Sequence, residues 1–157
     1  MAPILTTPRS VTLPIRHFAG PVHRYDMQTR AAIPAQWDAY NADDIRLAGA
    51  MPDDYYGLVF NYSEDGGTFE YLCGQEVPAG TSLPPGFGAV AISGTYAMFA
   101  TTGHISTMGA AWGEVYGDWL TRPDFRPRPG PSVEYYPLAF DGMTGEGGYE
   151  IWVAIQA

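Results

Sequence analysis

Two stretches of the chain run through the same order of events, and that repetition constrains the fold more than any other feature. Each passes from an interrupted strand through a helical stripe into a hairpin. Phe18-Ala19-Gly20 corresponds to Ile92-Ser93-Gly94 at an offset of 74, and Trp37 to Trp112 at 75. Tyr55-Tyr56, Phe60 and Phe69-Glu70 correspond to Tyr135-Tyr136, Phe140 and Tyr149-Glu150 at 80. A longer loop after the second helix, Thr121 to Pro131, accounts for the drift. The expectation is an α+β fold of duplicated β-α-β-β units with pseudo-two-fold symmetry, antiparallel sheets, one main helix per half and a central ligand groove. Residues 1–10 read as a proline-punctuated leader and 11–157 as one domain, with half-repeats at about 11–80 and 86–157.

Local patterns fill in the elements. Val11 to Ile15 alternates weakly, and Arg16 to Tyr25 reads as a strand bent at Gly20-Pro21. Ile33, Trp37 and Tyr40 share one helix face, and this helix fades between Asn41 and Asp44. Ile45 to Met51 reads as a short helical or loop piece. Tyr55–Tyr62 and Thr68–Val77 form a hairpin around Asp65-Gly66, and Pro78 to Gly86 connects the halves. Gly88–Ala100 is a strand broken at Ser93-Gly94; Ile105–Leu120 is a helix with Ile105, Met108, Trp112, Val115, Tyr116 and Trp119 on one face. The last hairpin pairs Val133–Phe140 with Tyr149–Gln156.

Charge narrows the ligands. The net charge is −9, with no lysine, which argues against tracking a phosphate backbone or an anionic membrane and favours neutral or cationic compounds. Aromatic residues, 14% of the chain, supply the flat walls that lipophilic or cationic ligands need. Cys73 is the sole cysteine, so the chain forms no internal disulfide, and a reducing cytoplasm is the expected compartment. His17, His23 and His104 lack zinc-ligand spacing, and no P-loop, dinucleotide loop or G-x-S-x-G elbow is present. Neither a metal nor a cofactor is expected.

The acid that stands out is Glu150, within Tyr149-Glu150-Ile151-Trp152-Val153-Ala154-Ile155-Gln156. Alternation puts Tyr149, Ile151, Val153 and Ile155 on one face, and Glu150, Trp152, Ala154 and Gln156 on the other. A carboxylate on an apolar strand is costly to bury unless it meets a cation or stays wet. The repeat makes Glu70 its equivalent, with Leu72 and Trp152 two residues further along the same walls. Tyr56, Tyr136 and Trp112 are the candidate stacking partners. Ionised, Glu150 would pair with a ligand cation; as a general base it would activate water. The residues leave both open.

The run Tyr56-Gly57-Leu58-Val59-Phe60-Asn61-Tyr62 with Phe69 to Val77 resembles the first hairpin of the GyrI-like family, the effector-binding domain of AraC-type regulators. Gly103 to Thr107, Trp112 to Leu120 and Glu150 to Ile155 resemble its later segments, so the likeness runs from about Val11 to the end. It implies a pseudo-two-fold α/β domain that holds bulky lipophilic, often cationic, compounds over an acidic residue, here Glu150. It also implies three roles: sensing or sequestering a drug or toxin, hydrolysis of cyclopropane-bearing toxins through Glu150, or gyrase inhibition by protein contact. A gyrase or regulator partner and a monomer or homodimer are compatible with it. No helix-turn-helix candidate precedes Val11, which argues against direct DNA contact.

Overall fold

The computed structural model describes residues 4–43 and 45–157. Six strands form an antiparallel sheet that closes on itself: β1 (Arg9–Asp26), β2 (Tyr55–Phe60), β3 (Thr68–Val77), β4 (Phe87–Thr101), β5 (Ser132–Tyr136) and β6 (Tyr149–Ala154). Their order around the barrel is β1-β3-β2-β5-β6-β4, with β4 returning to pair with β1. Two helices, α1 (Ile33–Ala42) and α2 (Met108–Gly117), each follow a single 3-10 turn.

Alternation sorts each strand into two faces. Phe18, Leu58, Leu72, Tyr96, Val133 and Trp152 belong to one buried cluster drawn from all six strands, which fills the barrel. The outer faces lie under the helices. Tyr25, Val59, Phe69, Tyr71 and Cys73 pack with Ile33, Trp37 and Tyr40 of α1. Ala111 and Val115 of α2 pack with Phe99, Tyr149, Ile151 and Val153. Gln36, buried under α1, donates to the Tyr71 carbonyl (3.2 Å) and accepts from the Tyr25 hydroxyl (2.6 Å), which ties the helix to β1 and β3.

Pro34 sits in the first turn of α1, where no backbone donor is needed. His104 caps the turn before α2: its Nδ1 accepts from the Ser106 N–H at 3.0 Å. Gly20 and Gly74 let β1 and β3 approach closely, since a Cβ on Gly20 would lie 1.8 Å from the Cys73 carbonyl oxygen.

The element order repeats as the sequence suggests, and the strand order reads the same when the halves are exchanged. The residue correspondence holds for only part of each hairpin. At an offset of 80, Phe69 and Tyr149 both lie under helices, and Leu72 and Trp152 both lie inside the barrel. The same offset sets Tyr56, inside the barrel, against Tyr136, on the outer face, because it slips the first strand of the hairpin by an odd number of residues.

Other boundaries also move. β1 is one strand of 18 residues that absorbs the expected bend at Gly20-Pro21, and its register shift against β4 lies between Leu13 and Arg16. The expected leader is drawn into the fold from Ile4. Leu5 is buried, the Ile4 and Leu5 amides donate to the Glu114 carboxylate, and β1 begins at Arg9; residues 1–3 lie outside the described residues. α1 ends at Ala42, Asp44 lies outside the described residues, and residues 45–51 form no helix. β5 stops at Tyr136, leaving 137–148 as a loop. No helix among the described residues is long and apolar enough to cross a membrane.

Candidate functional site

Between α1, α2 and the outer face of the sheet lies an open cavity of about 1230 Å³. On α1, Ile33, Pro34, Trp37, Asp38 and Asn41 turn toward it. On the α2 side, Ile105, Met108, Gly109, Trp112, Gly113 and Tyr116 form a stripe at helical spacing. The sheet adds Val59, Phe69, Tyr71, Glu134 and Tyr136, and the loop after β5 adds Pro137, Leu138 and Phe140. Exposed Arg30, Asp38 and Asp53 supply charge at its edge.

The carboxylate of Glu134 is the chemical centre. It stands on β5, on the face shared with Tyr136, while Val133 and Tyr135 turn into the barrel. Its Oε1 accepts from the Tyr71 hydroxyl at 2.8 Å and the Tyr136 hydroxyl at 3.1 Å; its Oε2 accepts from Trp112 Nε1 at 3.2 Å. Tyr71 Oη accepts in turn from Trp37 Nε1 at 2.9 Å. Because an indole N–H can only donate, Trp37 turns the Tyr71 proton toward Glu134 and sets the direction of the relay. Strands β2, β3 and β5 and both helices thus converge on one acid.

Gly57 makes that convergence possible. It pairs with Glu134 across β2 and β5, and a Cβ there would lie 2.0 Å from Tyr71 Oη. The Tyr71 side chain, rooted on β3, crosses β2 over this glycine to reach the acid. Burial pushes the Glu134 carboxyl above its ordinary value, and the donors Tyr71, Trp112 and Tyr136 pull it back. Burial, then the Glu134 charge, pushes the Tyr71 and Tyr136 hydroxyls well up, so both remain protonated donors.

Of the residues singled out from the sequence, Trp112 and Tyr136 line this cavity; Glu150, Trp152, Tyr56, Glu70 and Leu72 are absent from its walls. Glu150 and Trp152 turn away from α2 because Tyr149, Ile151 and Val153 hold that face of β6. Glu150 accepts from Arg9 at 3.3 Å and from Trp152 Nε1 at 2.9 Å, so its counter-charge comes from the protein itself. Tyr56 and Trp152 do border a cation, and it is Arg16, whose guanidinium carbon lies 5.9 and 5.4 Å from their ring centres. Arg16 also pairs with Glu76 at 2.9 Å. Glu70 accepts from Asn61 Nδ2 at 2.6 Å, and Leu72 is packed inside the barrel.

Glu134, Tyr71 and Gly57 are not among the site residues expected from the sequence, which places Trp37 only on a helix face. The available signal was Glu134 and Tyr136 two residues apart on a short strand, an acid and a phenol on one face.

A helix-flanked barrel with a wide aromatic cavity over a hydrogen-bonded carboxylate defines a small-molecule binding domain. The model of one such family, described as the GyrI-like small molecule binding domain, matches residues 6–156, and the chain belongs to that family. No curated protein matches it significantly in sequence. Among solved structures, an integron cassette protein from the mobile metagenome of Vibrio cholerae is 19% identical with a TM-score of 0.70, each chain being 97% covered. SAV2435 bound to tetraphenylphosphonium is 16% identical with a TM-score of 0.67, over 97% of this chain and 95% of that one. EcmrR, in complex with DNA, is 14% identical with a TM-score of 0.61; the match covers 98% of this chain and 58% of EcmrR. These likenesses establish the fold.

Proposed function

We propose that the cavity binds a bulky aromatic cation, with the Glu134 carboxylate as its counter-charge, and that the protein acts by sensing or sequestering that compound. One observation carries the reading: an acid with three donors sits among Tyr71, Trp112 and Tyr136 in a large apolar cavity. Donors to both oxygens favour the ionised form, and the half-buried indoles of Trp37 and Trp112 give the cavity the aromatic surface that cations favour. Asp38 and Asp53 against Arg30 leave the edge acidic as well. The tetraphenylphosphonium held by SAV2435 is a compound of this class, which supports the reading by fold likeness.

The test is a titration of tetraphenylphosphonium followed by quenching of tryptophan fluorescence, since Trp37 and Trp112 line the cavity. Glu134→Gln is expected to weaken binding by about 3 kcal/mol, the Coulomb attraction of unit charges about 5–6 Å apart at an effective dielectric constant of about 20. Affinity unchanged in that variant, or no saturable binding in the parent, would refute the reading. Glu150→Gln is expected to leave affinity within about twofold, because its partners are Arg9 and Trp152.

A further inference from the structure

The hydrogen bonds around Glu134 also set which cations fit. We infer that the cavity selects cations that carry no N–H donor, quaternary ammonium or phosphonium, over primary ammonium ions that carry the same rings. The inference rests on the reading above and names the ligand class more narrowly.

A carboxylate offers about four lone-pair positions. Three are taken: two on Oε1 by Tyr71 and Tyr136, one on Oε2 by Trp112. The Tyr71 oxygen is itself engaged by Trp37. These donors sit on rigid rings anchored in β3, β5 and the two helices, so none can swing aside cheaply. Tyr71 is 1% exposed and Tyr136 9%.

A primary ammonium entering from water gives up three hydrogen bonds to solvent. At the floor it finds room for about one, unless it displaces a ring donor. A quaternary cation gives up no such bonds. It needs only a nearby negative charge and aromatic surface, which Glu134 and the half-buried Trp37 and Trp112 provide. Selection thus comes from acceptors that are already occupied, with charge and rings held equal, and the part owed to the three added methyl groups stays the same when an acceptor is freed.

The test compares two ligands with identical rings, 3,3,3-triphenylpropylammonium and its N,N,N-trimethyl derivative, at about pH 8, where an aliphatic amine stays protonated. The trimethyl compound is expected to bind at least about tenfold tighter to the parent protein, the size of one unmade hydrogen bond to a charged group. Trp112→Phe keeps a ring but frees a position on Oε2, and Tyr136→Phe frees one on Oε1. In either variant the ratio is expected to fall to about threefold or less, as the ammonium gains an acceptor. Being a ratio on one protein, this readout is insensitive to a general loss of affinity.

Equal affinity of the two compounds for the parent would overturn the inference while leaving the cation site standing. So would a ratio unchanged in both variants. Binding of neither compound, nor of tetraphenylphosphonium, would remove the site and the inference together.

Discussion

Gly57→Ala tests the centre of the site from a residue that touches no ligand. A methyl group there would lie 2.0 Å from the Tyr71 hydroxyl oxygen, so the phenol must leave its place. Glu134 then loses the 2.8 Å bond from Tyr71, and Trp37 Nε1 loses its acceptor at 2.9 Å. A bond to a charged group contributes about 1.5–3 kcal/mol and a neutral one about 1 kcal/mol, giving a loss of about 2.5–4 kcal/mol. Exchanging glycine for alanine returns about 0.4–1 kcal/mol by restricting the unfolded chain. The net cost is about 1.5–3.6 kcal/mol, which in a chain of this size lowers Tm by roughly 3–14 °C.

Urea and thermal unfolding measure it. Tyr71→Phe removes the same two hydrogen bonds without adding a methyl group, so the double variant is expected to lose about 2.5–4 kcal/mol less than the sum of the singles. Strict additivity, or a Gly57→Ala protein as stable as its parent, would refute the view that Gly57 is there to let Tyr71 reach Glu134.

Gly109 and Gly113 stand one turn apart on the cavity side of α2, and a Cβ at either meets nothing within 4 Å. Gly113→Ala is therefore expected to stabilise the protein by about 0.5–1 kcal/mol through helix propensity, while a bulky cation binds less tightly because the wall has moved inward; unfolding and the fluorescence titration check both. Glu134 has a raised pKa in the fold, so the unfolded chain ionises first as pH rises past the ordinary value of 4.5. Measured as the parent minus Glu134→Gln, unfolding free energy should fall as pH climbs from there through the raised value and level off above it. Cation affinity should rise over the same window, and a parallel pH profile in the two proteins would contradict both statements.

How much of the site was legible in advance differs from strand to strand. The repeat, the two helical stripes and the hairpins follow from short-range periodicity, and they place Trp37 and Trp112 on helices facing the sheet. Periodicity also shows that Glu134 shares a face with Tyr136, and Glu150 with Trp152. It says nothing about which face of each strand a helix covers.

The element order, the acidic balance, the wealth of aromatic rings and the family can be read from the residues alone, because each rests on composition or on neighbours along the chain. Barrel closure decided the rest. Once β5 turns Val133 and Tyr135 inward, Glu134 must face the helices; once β6 gives Tyr149, Ile151 and Val153 to α2, Glu150 must face away from them. The relay from Trp37 through Tyr71 to Glu134 joins residues 34 and 63 positions apart. Such contacts depend on strand pairing across the sheet, and a glycine on the strand between the tyrosine and its target acquires its purpose only when the strands lie side by side.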